Sequence, residues 1–488
     1  MNWARSLLLA LALTLAAPAL ADASPTNTQA QVEATLAAAP KGTRFGLLVV
    51  DEGGKAIVSV NPDQRFIPAS NTKMFTTAAA YALLPGMDQP DVAGGTWIWL
   101  SPEKAKVAPD VILFGRGDAR MSSAPDCKLD CLATLADAVA ARTKVVGDIV
   151  GIDTEFPDQR WSPGMSWNNF GSNDATAASA LSLDSNEMLV SVVSGPAGQP
   201  PVVAAPAYVT IVNEAKTVAG AKLNLRLEHT INSRTYRLYG EMPIDGEEWH
   251  ERIGIDDPAD YAAWTLAEML KTRGVQVIGA VQVSHHPVDL MDDPVWRGNV
   301  SIDHGMMGVP LAKLIPPPLS EDVVTINKVS QNHHAELLLR RIASQGGSGS
   351  IEDGLAAERA VFTQAGIPRE GYHFSDGSGM STYNRVSPRA AVTLLRWIAT
   401  QPWGRVWYAS LPIAGVDGTL RNRFKGTPLA GNLIAKTGTL NATNAISGTF
   451  RAASGKALTF AFFANDVPDG QSAVPAMEAV LLVIAANN

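Results

Sequence analysis

Apolar and polar positions along the first hundred residues alternate with short periods. Gly46-Leu47-Leu48-Val49-Val50-Asp51 predicts a strand, Glu52-Gly53-Gly54-Lys55 a hairpin turn, and Ala56-Ile57-Val58-Ser59-Val60 the partner strand. Residues 29–38 before the hairpin predict a helix. After Arg65-Phe66-Ile67-Pro68, the stretch 71–84 has neither glycine nor proline and reads as a buried helix. From about residue 87 to 255 the pattern changes to short β-prone runs. Examples are Thr96-Trp97-Ile98-Trp99-Leu100, Val111-Ile112-Leu113-Phe114 and Thr235-Tyr236-Arg237-Leu238-Tyr239, with one helix at 131–142. Asp257-Pro258 then starts an amphipathic helix with Ala262, Ala263, Leu266, Met269 and Leu270 on one face and Gly274 closing it. Helical patterns dominate from there to about 410, including 335–343, 355–365 and 388–400. Residues 445–452 and 457–464 predict a second hairpin, and 474–486 a terminal helix covering the sheet.

These periods predict an α/β (α+β) unit split in two. Residues 22–86 form its first half, 87–255 a strand-rich insert, and 256–488 its second half. At 488 residues the chain exceeds one ordinary core, and 46% apolar with 18% charged residues is globular composition. The formal net charge of −8 argues against a general affinity for nucleic acid or anionic membranes.

The first residues change the picture further. Arg5, the apolar run from Ser6 to Ala17, and Ala19-Leu20-Ala21 have the layout of a secretory leader cleaved after Ala21. The apolar run falls short of the roughly 20 residues needed to span a bilayer. Export to the periplasm is therefore expected, with no transmembrane anchor after cleavage. The only cysteines, Cys127 and Cys131, lie four residues apart. In an oxidising compartment a local disulfide is the simplest reading, with free thiols or a metal pair as alternatives.

Three fragments carry candidate chemistry. Ser70-Asn71-Thr72-Lys73 places a hydroxyl and an amine three residues apart at a helix start, hence on one face. A lysine whose pKa is lowered by burial can serve as base for such a serine. Ser330-Gln331-Asn332 precedes the helix beginning His333-His334-Ala335-Glu336. Lys436-Thr437-Gly438-Thr439 follows a strand. Each fragment alone is weak; in this order, behind a leader, they are the Ser-x-x-Lys, Ser-x-Asn and Lys-Thr-Gly signature of penicillin-binding proteins and serine β-lactamases.

The wording around these fragments is more specific. Pro68-Ala69-Ser70-Asn71-Thr72-Lys73, Asp376-Gly377-Ser378-Gly379-Met380-Ser381, Gly415-Val416-Asp417-Gly418-Thr419-Leu420 and Ala435-Lys436-Thr437-Gly438-Thr439-Leu440 resemble the class C low-molecular-mass penicillin-binding proteins. A large insert between the first and second motifs is a hallmark of that family. The resemblance implies a transpeptidase-like fold and a D-alanyl-D-alanine carboxypeptidase that also acts as an endopeptidase. It further implies peptidoglycan stem peptides and β-lactams as partners, and no cofactor or metal. On that reading Ser70 is the nucleophile, Lys73 its base, Ser330 the proton relay and Asn332 a carbonyl grip. Lys436, Thr437, Gly438 and Thr439 hold the substrate. The alternatives are a β-lactamase, for which no Glu-x-x-Leu-Asn-type element lies between the first two motifs, and a non-hydrolytic peptidoglycan-binding protein. His333, His334 and Glu336 lack the His-Glu-x-x-His spacing of a metal site and are expected to pack at a helix start. Asp376 to Gly379 is expected to be a turn, and Asp417 to Arg421 a loop supporting the Lys436 strand.

Overall fold

A computed structural model describes residues 25–102, 108–220, 222–302, 304 and 308–488. The expected leader, residues 1–21, lies outside the described residues.

Both ends of the chain build one five-stranded antiparallel sheet. Its order is Ile434–Leu440, Thr443–Arg451, Ala457–Asn465, Arg44–Val50, Ala56–Val60. The two predicted hairpins meet where Arg44–Val50 pairs with Ala457–Asn465, Phe45 opposite Ala464 and Val49 opposite Phe460. These central strands are apolar on both faces because both are covered. Side chains alternate across a strand, so Leu47 and Val49 enter one core with Phe460, Phe462 and the C-terminal helix residues Val480, Leu481 and Ile484. Leu48 and Val50 enter the other, with Phe463 and the helix Thr72–Leu83.

That helix is the centre of the second core. Met74, Phe75, Ala78, Ala79 and Ala80 are all at 0% exposure, and only its last turn, at Ala82 and Leu83, reaches solvent. Phe75 meets Phe362 edge-on at 5.3 Å and Phe374 at 4.8 Å. Truncating a phenylalanine in such a cluster costs about 3–5 kcal/mol. Helices Leu319–Lys328, Asn332–Ala343, Ile351–Gln364 and Pro388–Ala399 surround it.

The strand-rich unit is larger than the sequence pattern implies. Its main sheet has the order Val281–His286, Ile149–Pro157, Val111–Phe114, Trp97–Leu100, Ala312–Lys313. Helix Pro258–Thr272 buries Ala259, Ala262, Ala263, Leu266 and Leu270 in the same core as Leu132, Leu135 and Val139 of helix Leu132–Arg142. The boundary expected at 255/256 therefore falls inside this unit, which runs to Lys313. An amphipathic pattern shows that a helix has an apolar face but not which core receives it, and Val281–His286 pairs with a strand more than a hundred residues earlier. The expected helical dominance from 256 onward fails at the same place, since Gln276–Val277 and Val281–His286 are strands. Cys127 and Cys131 form a disulfide just before helix Leu132–Arg142. Among the described residues no helix is long and apolar enough to cross a membrane.

Candidate active site

Ser70 sits in a 3-10 turn, Ala69–Asn71, from which the helix Thr72–Leu83 continues. Ala69 holds a left-handed φ of 47°, a conformation that costs a residue with a side chain of order 1–3 kcal/mol. Its surroundings enforce it. The Asn71 N–H donates to Pro68 O at 3.2 Å, and the buried Asn71 Nδ2 donates to Lys436 O at 3.1 Å. Gly438 makes the fit possible, because a Cβ there would lie 2.7 Å from Pro68 O and 3.1 Å from Ser70 N. The serine turn and the edge strand Ile434–Leu440 thus approach backbone to backbone.

Lys73, three residues on, is at 0% exposure. Its Nζ donates to Ser70 Oγ at 3.0 Å, to Asn332 Oδ1 at 2.5 Å and to Ser378 O at 2.6 Å. Burial pushes the ammonium down to about 8, while the charges of Asp376, Glu336 and Asp174 hold it from falling further. An amine that loses its proton near pH 8 and touches the serine hydroxyl has the geometry and the affinity of a general base.

Ser330 stands at φ 68° in the short connection between helices Leu319–Lys328 and Asn332–Ala343. Its Oγ accepts from Lys436 Nζ at 2.9 Å. Lys436 also donates to Thr437 O at 3.0 Å, and burial followed by the charge of Lys73 pushes it well below the usual lysine range. Asn332 is the first residue of its helix. Its Oδ1 orients Lys73, and its Nδ2 donates to Asp174 O at 2.8 Å, so in this structure the expected carbonyl grip is already engaged. Thr437 Oγ1 lies 2.6 Å from Thr419 Oγ1, Lys328 pairs with Asp417, and the Ile413 N–H donates to Asp417 Oδ1 at 2.8 Å. The loop 417–421 thus braces the Lys436 strand. Thr439 is exposed on the same strand, which lies at the edge of its sheet and, among the described residues, meets on its outer side only the bridge of Ile434 to Ile413. The seven residues from three distant fragments therefore meet around Ser70.

Two groups were not legible as functional in the sequence. Glu336 lies one helical turn beyond Asn332, and its Oε1 accepts from the N–H groups of Gly377 and Ser378 at 3.1 and 2.9 Å. Its Oε2 accepts from Ser162 Oγ at 3.1 Å. Asp376 accepts from the Gly379 and Ser381 N–H groups at 2.9 and 2.6 Å and from Asn384 Nδ2 at 2.6 Å. Together they fix the turn whose Ser378 carbonyl holds Lys73. The i,i+4 spacing of Asn332 and Glu336 is the one sequence signal that pointed to this. His333 and His334 pack as expected. Burial and the neighbouring His334 push His333 down to about 3, and His334 Nδ1 lies 3.1 Å from Asp322 Oδ1.

Metal-type side chains converge elsewhere. Among the described residues the one such group is His286, Asp289 and Asp292, in the strand-rich unit. There Asp292 Oδ2 already accepts from the Asp289 N–H at 2.8 Å.

The D-Ala-D-Ala carboxypeptidase 3 (S13) family matches residues 28–487. A D-alanyl-D-alanine carboxypeptidase from Actinomadura sp. (strain R39) is 32% identical over 464 residues, 90% of this chain and 82% of that protein. The D-alanyl-D-alanine carboxypeptidase DacB of Haemophilus influenzae is 24% identical over 88% of this chain and 87% of its own length. The crystal structure of penicillin-binding protein 4 from Haemophilus influenzae covers 92% of this chain and 97% of its own, with a TM-score of 0.77 and 22% identity. The fold is shared.

Proposed function

The chain belongs to the D-Ala-D-Ala carboxypeptidase 3 (S13) family, and from that premise we propose that Ser70 is its acylated nucleophile and Lys73 the base that activates it. The enzyme is a serine-type D-alanyl-D-alanine carboxypeptidase. The observation that carries the assignment is the seat of Lys73, which is fully buried, lowered to about 8 and 3.0 Å from Ser70 Oγ.

The reaction then runs as acyl transfer. Lys73 Nζ takes the Ser70 proton as Oγ attacks the carbonyl of the penultimate D-alanine. The backbone N–H groups of Ser70 and Thr439 receive the developing oxyanion, a donor of this kind contributing about 3–4 kcal/mol. Ser330 passes a proton to the leaving amine, and terminal D-alanine departs. Water then attacks the ester as Lys73 takes its proton, the bond between Ser70 Oγ and the acyl carbon breaks, the proton passes to Oγ, and the shortened peptide leaves as its carboxylate. Lys436 and the Thr437 and Thr439 hydroxyls hold the terminal carboxylate, whose negative charge favours the Lys436 ammonium that burial opposes. The peptide lies along the Lys436–Leu440 part of the edge strand, beyond the bridge of Ile434 to Ile413, where Gly438 leaves room for it.

The same cleft would accept a cross-linked D-alanyl bond, giving endopeptidase activity. It would also accept a penicillin, consistent with the β-lactam complex of the Haemophilus influenzae protein, a relative in fold. A leader at 1–21 would deliver the enzyme to the periplasm, in keeping with the Cys127–Cys131 disulfide. Release of D-alanine from a pentapeptide, and a penicillin adduct on the intact protein by mass spectrometry, test the reading. Both should vanish in Ser70→Ala. Persistence of either, or rapid and sustained penicillin turnover by the wild type, would overturn it.

A further inference from the structure

A groove of about 440 Å³ opens on the strand-rich unit between the turn 167–172 and the strands Asn224–His229 and Trp249–Gly254. Trp167 stands 73% exposed at its rim, and Tyr239 and Trp249 are half-buried in its walls. Arg226, Arg252, Glu228 and Glu251 also line it, two guanidiniums against two carboxylates.

Two chains of contacts tie the lining of this groove to the second motif of the catalytic site. Ser172 lines the groove, and two residues on the Asp174 carbonyl accepts from Asn332. Arg252 lies 3.5 Å from Glu187, whose other oxygen accepts from Nε2 of Gln331, the middle residue of the second motif, at 2.8 Å. The turn is also held in shape. Trp161 stacks on Phe170 at 4.6 Å and donates through Nε1 to Ala175 O at 2.8 Å, and the Gly254 N–H donates to Gly171 O at 2.9 Å.

We propose that this groove binds the glycan of peptidoglycan, an N-acetylated amino-sugar disaccharide, while the attached stem peptide enters the Ser70 cleft. The proposal rests on the reading of that cleft as the peptide-cleaving site. A pyranose presents a C–H face suited to flat aromatic surface, and tryptophan and tyrosine supply rigid amphipathic walls. Its hydroxyl and acetamide groups both donate and accept, which suits guanidinium donors beside carboxylate acceptors. Balanced charge fits an uncharged sugar better than a stem peptide, whose carboxylates would seek an excess of cations. The volume lies within the roughly 300–1,000 Å³ of small-ligand sites.

The test compares kcat/KM for D-alanine release from a pentapeptide and from the same pentapeptide on its disaccharide, in the wild type, Trp167→Ala and Arg226→Ala. Both substituted side chains are exposed, and thermal melting controls for folding. The wild type should favour the glycosylated substrate by roughly 3–10-fold through KM, and each substitution should shrink that ratio towards one. Equal kcat/KM on both substrates in the wild type, or a ratio unchanged by both substitutions, would overturn the groove assignment. Calorimetric titration of Ser70→Ala with the peptide-free disaccharide separates the two readings. Sugar binding without wild-type D-alanine release refutes only the cleft, and D-alanine release without sugar binding refutes only the groove.

Discussion

Glu336→Gln isolates the electrostatic part of the base assignment. Three donors and no acceptor face the Glu336 carboxyl, the environment of an ionised group, although burial and then the charge of Asp376 raise its pKa. The substitution keeps the shape and the acceptor for Gly377 and Ser378, and turns a donor towards the Ser162 hydroxyl. What it removes is one negative charge. The carboxylate and the Lys73 ammonium bind opposite ends of Ser378, at 2.9 and 2.6 Å. Adding about 3 Å for one residue of backbone places the charges within about 8 Å. At an effective dielectric of ~20 that separation corresponds to about 2 kcal/mol, or about 1.5 pKa units. Losing a carboxylate disfavours the ammonium, so Lys73, already lowered to about 8, should deprotonate near about 6.5. The acidic limb of the kcat/KM profile for D-alanine release should move down by one to two units (roughly), with little change in melting temperature. A limb that stays in place or moves up would refute both the charge coupling and Lys73 as the titrating base.

Removing the base itself should separate stability from catalysis. Lys73 is depressed from 10.5 to about 8 in the fully buried site, so between those values the unfolded chain binds more protons than the folded one. Stability to urea should therefore rise by about 3 kcal/mol from pH 8 to 10.5 on this group's account, and Lys73→Met should lack that component while losing activity. An identical pH dependence in the variant would show that the lysine is not desolvated. Lys436→Ala should cost about 10–100-fold in kcat/KM on peptides ending in a free carboxylate, the weight of a charge-assisted hydrogen bond, and far less on amidated analogues. Equal losses would remove the anchor role. Gly438→Ala would set a Cβ 2.7 Å from Pro68 O. Displacement of Ser70 by about 1 Å should slow penicillin acylation by about 100-fold, and an unchanged acylation rate would show that the edge strand does not position the nucleophile.

Much of the catalytic scaffold was readable because its signals are local. The strands around Leu48 and Phe462 and the helix after Asn71 follow from side-chain period and turn residues, which depend on neighbours a few positions away. Ser70 and Lys73 were readable as a pair for the same reason, being one helical turn apart. The order of the three fragments, the wording around them and the large insert between the first two then pointed to the family. The strand-rich unit was misjudged at its far end, because helix Pro258–Thr272 packs on Leu132, Leu135 and Val139 and Val281–His286 pairs with Ile149–Pro157, partners far earlier in the chain that no local pattern reveals.

The amino-acid sequence by itself determined which elements form and which residue types carry the chemistry. Tertiary structure alone decided that Lys73 is a base rather than a solvated cation, because its pKa depends on complete desolvation and on Asp376, Glu336 and Asp174, contributed by three separate segments. It also decided that Ser330 and Lys436, 106 residues apart, come to hydrogen-bond distance, that Ser378 holds Lys73, and that a groove on the strand-rich unit is tied through Asp174 and Glu187 to the second motif. Each is a matter of long-range packing and loss of water, and neither can be read from a spacing along the chain.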